Sequence, residues 1–540
     1  MKCLLVYPRF TSTSFWNYLP VCDLVGAKYP AAPLGLCTVA AMLPQEWELR
    51  LVDCNTQDLK DEDLQWADIV FSGGMIAQQG EHVKLLERVK AAGKVHVVGG
   101  PDATSSPHIY DIATHLVLGE AEVTLPEFLE DFKSGNAGHL YAAGKRQADM
   151  SLTPIPRYDL LNFDNYLHVG VQFARGCPFN CEFCDIIELF GRVPRIKEDD
   201  QMLKELTYLY DLGYRGHVDF VDDNFIGNKS KAKKLLPKLR DWLEEHNWPF
   251  EFTTEATINL ADDEVLLNLM QETGFSAIFV GIESPDEDTL KQTQKGQNTK
   301  RSIPESIKRI NRHGIFVNAG YILGFDSEKG SVERGLIHSV RETAIPVNMI
   351  GLLTALPNTQ LTRRLKKENR LAEGFDKVTE NHGDQCLGGL NFEPVRSKQD
   401  IYQDYRNVIE VVYSPKEYFS RVREVTLMLD CSKKRMKLPL KHQIKDLKAF
   451  AKLIYKMGIK ADYRKEFWSV LWTCVTKNPR AIRYSVALVA LYLHFHPFSK
   501  YLVENLNLSL EKMKHEPKKM KLPRVPMPME RAPESQPIHA

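Results

Sequence analysis

The 540-residue chain carries no net charge, since 70 Lys and Arg balance 70 Asp and Glu. That balance argues against a chain devoted to nucleic acid. There is no Walker A sequence, and no G-x-G-x-x-G follows the first apolar run, so neither usual glycine-rich phosphate cradle is offered. No apolar run approaches the roughly 18 residues needed to cross a bilayer. The opening, MKCLLVYPRF, has only a short apolar stretch before Pro8. It is too short for a signal-peptide core and reads as a first strand. No repeat recurs at solenoid periods. These absences set the expectation of a cytoplasmic, reducing location, where clustered cysteines signal metal or redox chemistry more often than disulfides. Cysteine is itself scarce, at ten residues. Of these, Cys3, Cys37 and Cys54 sit in apolar contexts that suit buried packing.

What is present is ordinary for a soluble protein, 43% hydrophobic and 26% charged, and the length suggests roughly two to four domains. Apolar β-rich runs at 2–8, 48–54, 68–74, 94–100 and 114–120 alternate with helical patterns near 34–43, 79–92 and 123–133. That alternation predicts a parallel sheet covered on both faces, with any ligand beyond the carboxyl ends of its strands. Three of those ends are Ser72-Gly73-Gly74, Gly99-Gly100-Pro101 and Gly119-Glu120. Glycines there admit close approach of a ligand or serve as tight turns alone. Residues 136–165, with Pro154 and Pro156, read as an irregular linker. Strand patterns at 169–175, 216–223, 250–256, 277–283, 315–323 and 347–353 then alternate with helical ones at 200–212, 230–246, 262–273 and 302–313. Six such units over about 190 residues predict a barrel or partial barrel with functional residues at the strand ends.

Three cysteines fall in one stretch, RGCPFNCEFCD (175–185), as Cys177, Cys181 and Cys184. Thiolates ligate zinc, iron–sulfur clusters or copper. A structural zinc site is closed and normally takes four ligands. The local sequence offers three: His168 lies on the far side of the strand, and Cys386 is distant, although a fold can bring it near. A redox pair would use Cys181 and Cys184 and leave Cys177 idle. Three close thiols without a fourth suit a four-iron cluster whose open iron can bind a substrate or cofactor.

The run C-P-F-N-C-E-F-C, with aromatic Phe183 before its last cysteine, resembles the C-x3-C-x2-C signature of the radical SAM superfamily. The six-unit series after it is what that superfamily's partial barrel requires, and the order of domains resembles the class with an N-terminal cobalamin-binding domain. The resemblance spans roughly residues 1–400. It implies an α/β protein with a Rossmann-like cobalamin-binding-type domain over 1–135, the linker over 136–165 and a radical SAM partial (β/α)6 barrel over 166–399. A helical C-terminal region over 400–510 and a disordered tail over 511–540 follow, the tail rich in Lys, Pro and Met.

The resemblance also implies chemistry. A 4Fe-4S cluster on Cys177, Cys181 and Cys184 would hold S-adenosylmethionine and cleave it with one electron, supplied by a reductant such as flavodoxin or ferredoxin. The resulting 5′-deoxyadenosyl radical takes hydrogen from an unactivated carbon. Asp222, Asp223 and Asn224 end the second strand and would meet the cofactor's amino group. Glu255 and Glu283 end the third and fourth and would meet the ribose or methionyl part, and Phe183 would wall the adenosyl group. Loop capping by Asp-Asp-Asn and structural pairing of the two glutamates are the alternatives. The other residues of the cysteine loop, Phe179, Asn180 and Glu182, read as spacers. Ser72, Gly73, Gly99, Gly100 and Gly119 are the candidates for cobalamin. No histidine has an aspartate two residues before it, so the D-x-H-x-x-G of many cobalamin domains is missing. The domain then binds cobalamin without a histidine ligand or binds no cofactor. With cobalamin, methyl transfer is expected. Cyclisation, oxidation or rearrangement by the same radical is the alternative, and a zinc-stabilised binding protein a third.

Residues 433–465 hold twelve Lys or Arg and two Asp. Lys441, Lys445, Lys448, Lys452 and Lys456 recur at helical spacing beside Ile444, Leu447, Ala451 and Ile454. Such a basic amphipathic helix suits peripheral contact with an anionic membrane, and equally a solvated face over a core stripe. The run YSVALVALYLHFHPF (484–498) is a core helix or an interfacial segment. The segment YPRF…FW, the run APLGL near residue 33 and ALYLHFHPF resemble the hopanoid C-2 methylase subgroup and its cobalamin-type relatives. That kinship implies a small lipophilic substrate and no nucleic acid partner.

Overall fold

The first apolar runs form parallel strands buried on both faces. In the computed structural model, which describes residues 1–11, 13–375 and 384–515, β1 is Lys2–Tyr7, β3 Glu48–Asp53, β4 Ile69–Gly73, β5 Val95–Gly99 and β6 His115–Leu118. Cys3 and Leu5 of β1 pack under helices Leu34–Met42 and Ala121–Ser134, while Leu4 and Val6 pack under Asp61–Trp66 and Gln79–Ala91. Two covered faces explain the continuous, rather than alternating, apolar pattern. The order is β3-β1-β4-β5-β6-β7. The last strand, β7 (Leu140–Ala142), lies in the stretch expected to be irregular and pairs parallel with β6. It buries one side chain, Tyr141, which is too little pattern to read as a strand.

The second sheet is a seven-stranded parallel half-barrel, ordered β15-β14-β13-β12-β11-β8-β2. Its strands are β8 Tyr166–Val171, β11 Gly216–Phe220, β12 Phe250–Glu255, β13 Phe275–Glu283, β14 Phe316–Leu323 and β15 Asn348–Leu352. The seventh, β2 (Tyr29–Ala31), comes from the N-terminal part of the chain and pairs with β8. The expected strand 169–175 is broken: β8 stops at Val171, and Ala174–Arg175 (β9) pairs antiparallel with Arg195–Ile196 (β10). Local rules set the helix starts. The Ser302 hydroxyl accepts the Glu305 N–H ahead of helix Ile303–Arg312, and the Asp263 carboxylate accepts the Leu266 N–H ahead of Glu264–Glu272. Beneath the helices Phe220 lies 5.2–5.6 Å from the rings of Phe225, Phe252 and Phe275.

C-terminal helices cover the open side of the half-barrel, between β15 and β2. The Tyr405 hydroxyl donates to Ile350 O of β15 (2.9 Å), and that of Tyr492 to Tyr413 O (2.9 Å). On the β2 side, His494 Nε2 lies 3.0 Å from Phe15 O and the Phe495 ring 5.0 Å from that of Phe15. The apolar run 484–498 is thus part of a core helix, Ile482–His515. By length and composition Pro479–His515 could cross a membrane, but half of its most apolar window is buried inside the protein. Of the expected tail, residues 511–515 continue this helix, and 516–540 lie outside the described residues.

Candidate functional site

The cysteine loop leaves the carboxyl end of β8 and is pinned at both ends. Gly176 turns it with φ 92°, where an added Cβ would stand 3.0 Å from Gly191 O and 3.1 Å from Val193 O. Any side chain would therefore be both strained and obstructed. At the entry the Phe173 N–H donates to Asp222 Oδ1 (2.7 Å), the Gly176 N–H to Asp223 Oδ2 (2.8 Å) and the Cys177 N–H to Gly191 O (3.3 Å). At the exit the Glu182 N–H donates to Thr293 O (3.1 Å) and Glu182 O accepts the Leu361 N–H (2.8 Å). The Glu182 carboxylate lies 3.0 Å from Arg364, and Asn180 bonds Gln294 and Gln360. Asn180 and Glu182 are therefore not mere spacers: they fasten the loop to the segments after β13 and β15.

Cys181 is buried and its neighbours Cys177 and Cys184 are half-buried, and burial pushes all three thiols up. Iron would have to displace their protons. Among the described residues no set of three or more His, Cys, Asp or Glu side chains converges to hold a metal ion. A tetrahedral zinc needs its donors within about 2.0–2.3 Å of one point, so the zinc reading finds no support in this geometry. A four-iron cluster takes its thiolates at separate corners and needs no such convergence.

The carboxylates expected around the loop do different work. Asp222 is 1% exposed, with one oxygen on Phe173 and the other, Oδ2, without a partner. Burial raises its carboxyl to about 8. The Asp223 carboxyl is raised to about 6, chiefly by burial and against the hydrogen bond from Gly176 and the charge of Arg175. Both hold the loop from beneath, which is the capping alternative in the sequence. Glu283 ends β13 at φ 66°, in the left-handed region, after a bulge between Gly281 and Glu283. Its carboxylate pairs with Lys295 at 2.7 Å, and both are buried. An added Cβ at Gly281 would stand 2.2 Å from Glu283 Oε1 and 2.8 Å from Lys295 Nζ. Burial alone would lower the Lys295 ammonium, but Glu283, Cys181 and Cys184 raise it instead. Glu255, at the end of β12, is reached by solvent but lies deep in the mouth. Loss of bulk water, then Asp219 and Asp223, push its carboxyl up to about 8 against the pull of Lys295. Phe183 packs 5.8 Å from the Phe325 ring.

In the N-terminal sheet the expected ligand residues are closely packed. The Ser72 hydroxyl is buried and lies 2.8 Å from Nε2 of both His82 and His96. Ser72 therefore faces the interior and not a ligand. Gly99 lies so near β6 that an added Cβ would stand 2.7 Å from Val117 O, and one at Gly73 would stand 3.2 Å from Gly99 O. Gly100 packs on Gly73 and Gly74, and Gly119 on Ala143. Glu120, next to Gly119, accepts from Arg175 (2.9 Å) and Arg195 (2.8 Å), clamping this sheet to the β9–β10 pair. Close packing of chain on chain thus accounts for these glycines.

A model of the Radical SAM superfamily matches residues 171–333, and one of a domain of unknown function, DUF4070, matches 359–507. An uncharacterized methyltransferase of Synechocystis sp. (strain ATCC 27184 / PCC 6803 / Kazusa) is 44% identical over 497 residues, 92% of this chain and 91% of the relative. The hopanoid C-2 methylase of Rhodopseudomonas palustris (strain TIE-1) is 33% identical over 481 residues, 86% of this chain and 88% of the relative. This chain belongs to the radical SAM methyltransferase family. It is accordingly an enzyme. The fold is shared with the cobalamin-dependent S-adenosylmethionine radical enzyme OxsB, solved with aqua-cobalamin and S-adenosylmethionine (TM-score 0.59, 14% identity, 95% of this chain and 81% of that one). It is shared also with the methyltransferase TsrM of Kitasatospora setae, solved with cobalamin and a [4Fe-4S] cluster (TM-score 0.58, 15% identity, 88% and 99%).

The residues of this radical SAM chain fit the groups such an enzyme needs. Cys177, Cys181 and Cys184 are soft donors on a loop held rigid at both ends. The Gln297 amide N–H points at Cys181 Sγ (3.8 Å), and Lys295 supplies the positive charge that thiolates require. At the carboxyl ends of β4 and β5, Gly73, Gly99 and Gly100 are half-buried and packed on one another, and present backbone without side chains. His82 and His96 are buried behind Ser72 and offer no imidazole there. Lys295, Gln297 and Trp16 stand beside the thiols or the barrel strands through contacts that their sequence contexts do not announce. The Trp16 ring is 42% exposed and lies 5.5 Å from Phe279, on the middle of β13. Its segment YPRF…FW carries a resemblance only, and no spacing rule marks it as reaching a strand some 260 residues away.

Proposed function

We propose that this enzyme is a cobalamin-dependent radical SAM methyltransferase that methylates an unactivated carbon of a lipophilic, hopanoid-like polycyclic substrate. The observation that carries the reading is an apolar wall, Trp16 against Phe279, on the same strand that ends in Glu283 beside the thiols. The one-third identity to a hopanoid methylase supports it. When bound, the iron–sulfur cluster supplies the electron that cleaves S-adenosylmethionine, and cobalamin supplies the methyl group.

The protein's own share is placement, charge and exclusion of water. Cys177, Cys181 and Cys184 hold the cluster. Lys295 offsets their negative charge, and Glu283 fixes Lys295. Glu255 is the reachable carboxylate of the mouth and meets the ammonium or ribose of S-adenosylmethionine. Asp222, Asp223 and Glu182 keep the loop from moving. The Trp16–Phe279 wall offers the substrate a flat apolar surface and helps keep water out. Flavodoxin or ferredoxin in the cytoplasm is the fitting reductant.

The test feeds methyl-deuterated S-adenosylmethionine to anaerobically purified enzyme loaded with iron, sulfide and cobalamin, with a pentacyclic triterpene as acceptor. Label is expected in the acceptor, and Cys181→Ala should abolish both label and cofactor cleavage. An unchanged lipid profile on deletion of an expressed gene would overturn the lipid substrate, and cleavage without label would overturn methyl transfer.

A further inference from the structure

We propose that helices Leu440–Leu453 and Arg464–Lys477 form a face that docks this enzyme on an anionic bilayer. On the first helix Leu440 (69% exposed), Ile444 (47%) and Leu447 (68%) stand open to solvent, and on the second Trp468 (45%), Trp472 (72%) and Val475 (59%) do. Each set is spaced i, i+4, i+7, which places three large apolar side chains on one line of a helix. In an amphipathic helix of a soluble core such a line points inward. Here the inward face of the first helix is a different one, carrying Ala449 and Leu453.

The connecting turn, Ile454–Lys460, is a wide π-helical segment. It continues the exposed line with Tyr455 and Ile459. Trp468 is locked to it, its indole N–H donating to Gly458 O at 2.9 Å. The two apolar lines are therefore held against one turn, not hung on separate loops. Large exposed apolar patches mark docking sites.

Charge decides what docks. Lys441, Lys448 and Lys452 are exposed on the flank of the Leu440–Leu447 line, about a quarter to a third of a turn away. Lys460, Arg464 and Lys465 follow at the turn. The cavity of about 700 Å³ beside the first helix carries mixed charge, with Lys441, Lys445 and Arg215 alongside Asp159, Asp164 and Asp446 in its wall, so the exposed lysines alone make the basic rim. A rim of lysines beside Leu, Ile and Trp matches the headgroup level of an anionic bilayer, where ammonium groups meet phosphates and indoles sit at the boundary. A protein partner buried on this face would have to desolvate that rim. The face lies on the outside of the C-terminal helices, so the proposal holds whether or not the methyl acceptor is a lipid.

Flotation of the purified holoenzyme with vesicles tests it. Vesicles of phosphatidylcholine containing roughly one-third phosphatidylglycerol should carry the enzyme, and pure phosphatidylcholine should carry far less. Raising salt from about 50 mM to about 500 mM should release it. The pair Leu447→Glu and Trp472→Glu should weaken partitioning at least about tenfold. Lys441→Glu with Lys448→Glu leaves the apolar lines intact and should weaken it comparably. Both variants should keep wild-type cleavage of S-adenosylmethionine in vesicle-free solution. Equal partitioning to both vesicle types, or wild-type partitioning of both variants, would overturn the proposal. So would a dimer in lipid-free solution that Leu447→Glu and Trp472→Glu dissolve, because the face would then belong to a second copy.

Discussion

Replacing Lys295 by Met tests the electrostatic centre of the barrel mouth. Lys295 Nζ lies 2.7 Å from Glu283 Oε1, and the two residues are 8% and 7% exposed. Glu283 cannot swing away easily. Its backbone is held at φ 66°, and the Asn298 side-chain amide donates to Gly281 O (2.9 Å) and Ile282 O (3.0 Å) just before it. Removing one partner of a buried pair costs roughly 3–5 kcal/mol, because the other charge stays behind unpaired. The carboxylate can escape by taking a proton, which sets a ceiling. Neutralising a carboxyl of ordinary pKa, about 4.3, at a pH of about 7.5 costs about 1.36 × 3.2, or about 4.4 kcal/mol. The sign follows from the proton count. In the variant the folded carboxyl titrates above its unfolded value, so the penalty is absent below about pH 4.3 and grows by about 1.4 kcal/mol per unit above it. The variant should therefore fall about 4 kcal/mol below wild type near pH 7.5 and only about 1 kcal/mol below it near pH 5. Adding Glu283→Gln should remove that pH dependence. Urea unfolding of metal-free protein under anaerobic conditions reads this out. With a slope of about 2 kcal/mol per molar for the barrel transition, the midpoint should drop by about 2 M at neutral pH. A drop under about 0.5 M, or one that does not shrink with acid, would refute the reasoning.

The buried imidazoles of the N-terminal sheet make a second titration. Burial lowers His82 and His96 to about 3 each, around Ser72 and beside Tyr110, which bonds Asp102. Both groups stay neutral in the folded state, so their stability contribution is present above about pH 6.5 and is lost as pH falls toward 3. Each should cost about 2 kcal/mol between about pH 6.5 and pH 5. The thermal midpoint should fall over that range, and less steeply in His82→Gln with His96→Gln. Glu255→Gln should raise the KM for S-adenosylmethionine about tenfold or more with a smaller change in kcat. It should also flatten any rise in affinity between about pH 7 and pH 9, where the wild-type carboxyl ionises. Trp16→Ala should uncouple the reaction: cofactor cleavage persists while methylation of the lipophilic acceptor drops about tenfold or more, read as the ratio of 5′-deoxyadenosine to product.

What could be read from the sequence, and what could not, divides by the range of the interaction. The loop that carries Cys177, Cys181 and Cys184 was legible because residue type and spacing are properties of one loop, and the strands were legible because both faces of each sheet are covered. β2 was not legible, since three residues surrounded by helix and turn carry no period, and their partner β8 lies some 135 positions away. Glu283 was found as a strand-ending carboxylate and assigned to a ligand. The structure pairs it with Lys295, a residue whose sequence context, QTQKGQN, announces nothing. The glycines at the strand ends were read as room for a ligand, and most of that room is filled by the neighbouring strand or loop. In each case a partner distant in sequence sets what the residue touches. The proposed docking face runs the other way. Lys441 to Lys456 gave a local pattern that fitted a core stripe as well as a surface. Of the stripe Ile444, Leu447, Ala451 and Ile454, the first three are exposed while Ile454 packs against the core, and the exposure of Leu440, Ile444 and Leu447 is what supports the docking proposal.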